Sequence, residues 1–255
     1  MSDFLVISGL SAAAALLVMA GVWIAARRTG KAAVVDVAWG PGFALVALVC
    51  AVIAPHGLSW LLFVLVAVWG LRLGWHIGRR SRGHGEDPRY EELLSGGGGL
   101  VRKVLLPQGA AMWFVSLPVQ AAAAIGGSLH WLAWVGVAVW ALGLAFEAIG
   151  DAQLAAYKGD PDRGPVMDRG LWGWTRHPNY FGDAVVWWGI WIAAVSVWTE
   201  NWWVLLTILS PIAMTHFIRN VTGARLLERT MMERPGYPEY ASRVPMFFPR
   251  PPRGA

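Results

Sequence analysis

Four side chains that can ionise or exchange hydrogen bonds crowd the start of one of the most apolar runs of the chain. They are Arg176, His177, Asn179 and Asp183. Pro178 suits the first position of a helix, where no backbone N–H is needed, so we expect a helix to begin there. Its unpaired N–H groups and dipole would attract an anion, with help from Arg169 and Arg176. Asn179 and Asp183, one turn apart, could recognise a group with both donors and acceptors, such as a carboxamide.

A second polar set precedes this one in "AFEAIGDAQLAAYK". Glu147, Asp151 and Lys158 follow one stripe of a helix, because their spacings are four and seven residues. A solvated helix end would explain Asp151 and Lys158 without a ligand, but Glu147 lies deeper in the apolar run. Carboxylates can accept hydrogen bonds from ribose hydroxyls or a carboxamide, and lysine can neutralise phosphate. The stripe therefore predicts a ligand site.

The last apolar stretch is followed by a mixed group of charged and aromatic side chains. The group consists of Arg225, Glu228, Tyr237, Tyr240 and Arg243. A basic helix resting on anionic headgroups would explain the arginines alone. It does not explain the acidic and aromatic members, which would suit the phosphate end of an adenosine-containing ligand.

The elements that must position these residues are membrane helices. The chain has 255 residues, of which 56% are hydrophobic and only 15% charged, whereas soluble domains are about a quarter charged. A span needs about 20 apolar residues, and seven stretches qualify. They are residues 4–26, 32–54, 58–78, 105–126, 130–150, 183–199 and 202–219. We expect an all-α polytopic membrane protein with seven transmembrane helices and cytoplasmic helical extensions.

The charge distribution predicts the orientation. If Arg27, Arg28 and Lys31 are cytoplasmic, the connections 55–57, 127–129 and 200–201 lie outside and contain no Lys or Arg. The N-terminus would then be outside and the C-terminus in the cytoplasm. The net charge of +5 is explained by topology and by attraction to membrane lipids, and we expect no nucleic-acid partner.

Ionisable residues inside spans are costly and usually functional. Asp36 begins the second span, and Arg72 and His76 lie one turn apart near the end of the third. Asp36 and Arg72 could form a structural ion pair or belong to a site. The sequence shows no metal-ligand spacing and no GxGxxG between a strand and a helix. We therefore predict no metal, and a dinucleotide could bind only to membrane helices.

The segments "RGLWGWTRHPNYFGD", "FEAIGDAQL" and "YPEYASRVPMFFP" resemble the catalytic half of the steroid 5α-reductase-like membrane family, in particular its bacterial branch. "VDVAWGPGF", "WGLRLGWHI" and "GHGEDPRY" extend the resemblance over nearly the whole chain. A related Arg-His-Pro-x-Tyr motif also occurs in isoprenylcysteine and phospholipid methyltransferases. The Glu-x-x-x-Asp helix favours the reductases.

The resemblance implies a seven-helix fold that binds NADPH and reduces a C=C bond conjugated to a carbonyl in a lipophilic substrate. Asp151 and Lys158 match the cofactor-binding helix, Glu147 stands where the reductases have Asn, and Asn179 and Asp183 match positions that contact nicotinamide. The expected NADPH site comprises Glu147, Asp151, Lys158, Arg169, Arg176, His177, Asn179, Tyr180, Asp183, Arg225, Glu228 and Tyr237. We treat residues 1–255 as one membrane domain, with a substrate side at 1–104 and a cofactor half at 105–255.

The reductases use a Gln-Glu pair and a Tyr to polarise the substrate carbonyl, and this pair is missing here. Asp36, His76 and Tyr90 are the candidates to replace it. One alternative is an S-adenosylmethionine-dependent methyltransferase in which His177 and Tyr180 hold the carboxylate of the methyl donor. Another is a noncatalytic lipid-binding protein. The sequence leaves both open, together with the substrate and the oligomeric state.

Overall fold

The computed structural model describes residues 2–252, and every regular element within them is helical, which confirms the all-α prediction. The α-helices are α1 (Ser2–Thr29), α2 (Val34–Ile53), α3 (Gly57–Ser81), α4 (Pro88–Ser95), α5 (Leu106–Val115), α6 (Leu117–Ile125), α7 (Trp131–Gly159), α8 (Pro178–Ala194), α9 (Leu209–His216), α10 (Ala224–Met231) and α11 (Tyr237–Arg243). Short π-helical turns precede α5 and follow α9.

The chain is an integral membrane protein. Among residues 2–252, six continuous helical stretches are long and apolar enough to span a bilayer. A seventh span is formed if the bent pair Val101–Val115 and Leu117–Ile125 crosses as one. Each of the seven stretches predicted from the sequence corresponds to one of these. The α8 span begins at Pro178, as the sequence indicates, and includes Asn179 and Asp183.

The 40° bend between α5 and α6 has a local cause. Pro118 has no N–H to donate to the preceding turn, and its ring crowds the carbonyl one turn back. Near the break, the carbonyl of Trp113 accepts hydrogen bonds from the Ser116 hydroxyl at 2.9 Å and the Gln120 amide at 2.9 Å. Polar side chains thus bind backbone groups beside the break, which makes it tolerable at membrane depth.

The helices form two compact units. The first contains the chain up to Trp134 together with Ile190–Ser210, and the second contains Val135–Gly189 and the chain from Pro211 onward. Helices α5 and α6 pack against α1 and belong to the first unit.

In the first unit, α2 packs closely on α3 and also on α1. The backbones of α2 and α3 touch at Gly40 and Gly70, where any side chain would collide with the opposite carbonyl group. Glycine is therefore required for this approach. In the second unit, α7 and α8 approach in the same way at Gly143 and Gly182.

Candidate functional site

Buried carboxylates line the contact between α7 and α8 in the second unit. Glu147 is 2% exposed, Asp151 7% and Asp183 8%. The Asn179 amide on α8 donates a hydrogen bond of 3.1 Å to Asp151 Oδ1 on α7. We call Glu147, Asp151, Asn179 and Asp183 the carboxylate cluster. Buried charges are retained only where polar partners or a ligand compensate the loss of water.

Glycines allow the two helices to bring these groups together. A side chain at Gly182 would meet the backbone of Glu147, and one at Gly150 would lie 3.2 Å from the amide nitrogen of Asn179. The helices therefore touch next to Glu147 and next to Asn179. The sequence predicted the polar members of the cluster, but not that glycines on both helices hold them close.

Arg176 is bound to protein groups throughout its guanidinium. Its Nε and Nη2 donate to the two oxygens of Glu228 at 2.6 and 2.8 Å. Its Nη1 donates to the carbonyls of Ala241 at 2.7 Å and Val244 at 2.9 Å. A bidentate pair of this kind is among the stronger charged interactions in proteins. Arg176 therefore holds the C-terminal segment rather than presenting its charge to solvent.

The same carboxylate has two further partners. Glu228 Oε1 lies 3.1 Å from His177 Nε2 and accepts a 3.3 Å hydrogen bond from the Tyr237 hydroxyl. We call Arg176, His177, Glu228 and Tyr237 the tail clamp, because it joins the segment before α8 to α10 and α11. The His177 ring also stacks on Tyr180 with centroids 5.7 Å apart.

The segment before α8 is fixed by backbone contacts as well. The Thr175 hydroxyl donates to the carbonyls of Met246 at 3.2 Å and Phe247 at 2.9 Å, and Arg176 N donates to Pro245 O at 3.0 Å. The Tyr240 hydroxyl donates to Trp172 O at 2.6 Å. The resemblance predicted that Glu228 and Tyr237 lie near the adenosine phosphate of NADPH. In the structure, Glu228 contacts Arg176, His177 and Tyr237.

The remaining basic residues of the predicted NADPH site are exposed to solvent. Lys158 lies at the end of α7, Arg225 lies on α10, and Arg169 lies in the connection between α7 and α8. Arg169 lines a groove of about 390 Å³ between this connection and α11. Arg163 and Arg243 line the same groove. No member of the carboxylate cluster lines this groove.

Asp36, a predicted catalytic residue on α2, is in contact with two side chains of α4 in the first unit. The Tyr90 hydroxyl donates to its Oδ1 at 2.6 Å, and Arg89 Nη2 lies 3.0 Å from its Oδ2. Tyr90 is 8% exposed; burial raises the pKa of its phenol, and the Asp36 carboxylate raises it further. His76 is half-buried on α3. The structure thus brings Asp36 and Tyr90 into direct contact.

Two residues of this region were absent from the predicted site. Arg89 binds both Asp36 and Asp87. Glu86 accepts hydrogen bonds from the backbone N–H groups of Ala32 and Ala33, just before α2. The carboxylate thereby satisfies helix-terminal donors and interacts favourably with the helix dipole. Both residues belong to the run "GEDPRY", and its charged side chains were the only indication in the sequence that they have a role.

Tyr240 supports a prediction about alkaline pH. Burial raises the pKa of its phenol above the usual value, and the nearby Tyr237 raises it further. The unfolded chain therefore loses this proton first, so the stabilisation is complete below about pH 10 and decreases as pH rises above it. The thermal midpoint should fall less steeply between about pH 9 and about pH 11 in Tyr240→Phe than in the wild type. Equal slopes would contradict this prediction.

A family model described as "Protein of unknown function (DUF1295)" matches residues 22–244. No curated protein and no solved structure matches the chain.

Proposed function

Because the chain belongs to the DUF1295 family, whose description states no activity, we propose from its own residues that it is an NADPH-dependent membrane reductase. The proposed reaction is reduction of a carbonyl-conjugated C=C bond in a lipophilic substrate, as in the steroid 5α-reductase-like family that its motifs resemble. The observation that carries the proposal is the carboxylate cluster of α7 and α8.

The chemistry of the cluster fits the nicotinamide riboside part of NADPH. Carboxylates accept hydrogen bonds from ribose hydroxyls and from an amide NH₂, and the Asn179 amide can both donate and accept. Three acidic residues, each under 10% exposed, are a costly arrangement for a purely structural helix contact. Ionisable residues within membrane-spanning helices are usually functional. We assign Glu147, Asp151, Asn179 and Asp183 to this end of the cofactor.

The phosphate end requires positive charge that can reach a ligand. Lys158, Arg169 and Arg225 are exposed, and we assign them to the phosphates, including the 2′-phosphate that distinguishes NADPH from NADH. Arg176, His177, Glu228 and Tyr237 contact one another in the tail clamp. We therefore propose that they hold the surrounding segments in place, and that Tyr180 supports His177 by stacking.

The reaction also needs a proton and a hydrogen bond to the substrate carbonyl. NADPH supplies the hydride when it is bound. A phenol or a protonated carboxyl that donates to the carbonyl oxygen stabilises the negative charge that develops there. We propose Tyr90 as this donor, with Asp36 accepting its hydrogen bond in the resting protein. His76 remains the third candidate.

The orientation proposed with this function follows the positive-inside rule. The N-terminus would lie outside and the C-terminus in the cytoplasm of a bacterial inner membrane, where NADPH is available. Lys158, Arg169 and Arg225 all follow spans whose basic flanks the rule assigns to the cytoplasm. The lipophilic substrate would enter from the surrounding membrane lipids.

A binding experiment on the purified full-length chain tests the proposal. NADPH at 100 times its dissociation constant should stabilise the protein by about 2.7 kcal/mol, with a smaller effect of NADH and none of S-adenosylmethionine. Asp183→Asn should weaken NADPH binding at least about tenfold, because a hydrogen bond to a charged group contributes about 1.5–3 kcal/mol.

Glu233→Gln is the matched control, because Glu233 is an exposed carboxylate of the second unit. It should leave the NADPH response unchanged. A folded Asp183→Asn protein with wild-type affinity for NADPH would refute the assignment of the cluster. Stabilisation by S-adenosylmethionine alone would favour the methyltransferase, and no response to any of the three would favour a noncatalytic protein.

A further inference from the structure

An apolar groove of about 480 Å³ runs between α1 and α5 in the first unit. Its volume lies in the range of ligand pockets, about 300–1,000 Å³. The lining residues are Ala12, Ala15, Leu16, Met19, Ala20, Trp23, Val101, Leu105, Leu106, Gly109, Ala110 and Trp113. Four alanines and a glycine are among these residues, and their small side chains leave space that larger residues would fill.

The length of the groove corresponds to half of a bilayer. From Ala12 to Trp23, α1 rises by about 17 Å at about 1.5 Å per residue. The hydrocarbon core of a membrane is about 30 Å thick. The groove can therefore accommodate one extended hydrocarbon chain of a single leaflet.

The two ends of the groove differ in chemistry. At one end, the Trp113 indole is fixed by a 3.0 Å hydrogen bond to the Ser8 hydroxyl. Met19 contacts Gly109, and Ser8 contacts Trp113, so α1 and α5 run in opposite directions and Val101 lies at the Trp23 end. There, the Arg27 guanidinium lies 5.6 Å from the centre of the Trp23 ring.

Exposed positive charge is concentrated at the Trp23 end. Arg27 and Arg28 follow Trp23 on α1, and Arg102 follows Val101 on the π-helical turn before α5. No acidic residue lines the groove. The groove is apolar over the length of one leaflet and has arginines at a single end. It is therefore complementary to a phospholipid with a negatively charged headgroup.

We propose that this groove binds an anionic phospholipid, with one acyl chain along α1 and α5 and the phosphate against Arg27 and Arg102. Bilayer tails are as apolar as the groove, so burial of the chain alone gives little preference. Selectivity comes from the headgroup, because an anionic lipid keeps a net charge that a zwitterionic lipid lacks. The site requires neither NADPH nor the carboxylate cluster.

The lipid that stays bound to the purified protein tests the proposal directly. The purified full-length chain is equilibrated with vesicles of equal phosphatidylglycerol and phosphatidylcholine content, and the bound lipid is identified by native mass spectrometry. We expect phosphatidylglycerol to exceed phosphatidylcholine about tenfold in the bound fraction. Arg27→Gln with Arg102→Gln should abolish the preference, and Ala20→Trp, which fills the groove, should remove the bound lipid.

Two control proteins match these variants. Arg79→Gln with Arg80→Gln removes two exposed arginines at the end of α3, and Ala13→Trp adds the same bulk at an exposed position of α1 outside the groove. Both should retain phosphatidylglycerol. Equal binding of the two lipids by the wild type, or undiminished binding by a folded Ala20→Trp protein, would overturn the proposal. If the wild type is a dimer and Ala20→Trp is a monomer that still retains lipid, the occupant of the groove is a second copy of the chain, and the proposal is wrong.

Discussion

Glu228→Gln is expected to lower the free energy of unfolding of the protein by about 3 kcal/mol, because removing one partner of a buried ion pair costs about 3–5 kcal/mol. The side chains of Arg176 and Glu228 are 11% and 13% exposed. The amide can accept only one of the two Arg176 hydrogen bonds, and the guanidinium keeps its charge. Reversible unfolding in mixed micelles of increasing dodecyl sulfate fraction measures the loss.

Arg176→Lys tests whether geometry or charge matters. Lysine keeps the charge but cannot form the two parallel bonds to Glu228. Arg176→Lys should therefore lower the free energy of unfolding. The double variant Arg176→Lys with Glu228→Gln should be little less stable than either single variant, because the two residues act as a unit. Glu233→Gln is the control for charge alone. Wild-type stability of Glu228→Gln would mean that the tail clamp contributes nothing.

Proteolysis gives a local measurement of the same change. Arg243 and Arg250 lie in the segment that the clamp holds, and both are exposed. If Glu228→Gln releases the segment, trypsin should cut after Arg243 faster than in the wild type. The bond after Arg250 resists trypsin because Pro251 follows it. Unchanged cleavage together with reduced stability would place the defect elsewhere in the second unit.

Gly182→Ala is expected to have the other large effect, a loss of about 3 kcal/mol or more in the free energy of unfolding together with loss of the proposed NADPH binding. The added methyl group would lie 2.6 Å from the Gly143 carbonyl oxygen, 2.8 Å from Glu147 Cα and closer still to the Glu147 nitrogen. These are backbone atoms, so no side chain can move aside. The helices α7 and α8 must separate, and the carboxylate cluster opens.

Gly21→Ala is the matched control on α1. Nothing lies within 4 Å of the methyl group it would add, and alanine favours a helix over glycine by about 1 kcal/mol. The control should therefore be as stable as the wild type or slightly more stable. A Gly182→Ala protein that matches this control in stability and NADPH affinity would show that the close approach of α7 and α8 is not needed.

The span positions could be predicted from the sequence because twenty-residue apolar runs have few alternatives in a bilayer. The start of α8 could be predicted because Pro178 marks a first helical position. The partners of Arg176 could not. They lie 52 to 68 residues further along the chain, and no local pattern specifies which carboxylate a distant arginine meets.

The same limitation applies to Asp36. Tyr90 and Arg89 contact Asp36 from the short helix α4, 54 and 53 residues further along the chain. The position of α4 depends on interactions of the loop before it, such as the bond of the Glu86 carboxylate to the backbone at the start of α2. The residue types of the carboxylate cluster were predictable, and the glycine contacts that bring the two helices together were not.

The tail clamp also orders the events of biosynthesis. Glu228 is made 52 residues after Arg176, so Arg176 cannot meet this carboxylate until α8 and α9 have been translated. The segment that supplies Ala241, Val244 and Pro245 is translated later again. The contacts of Arg176 therefore cannot be complete before nearly the whole chain has been made.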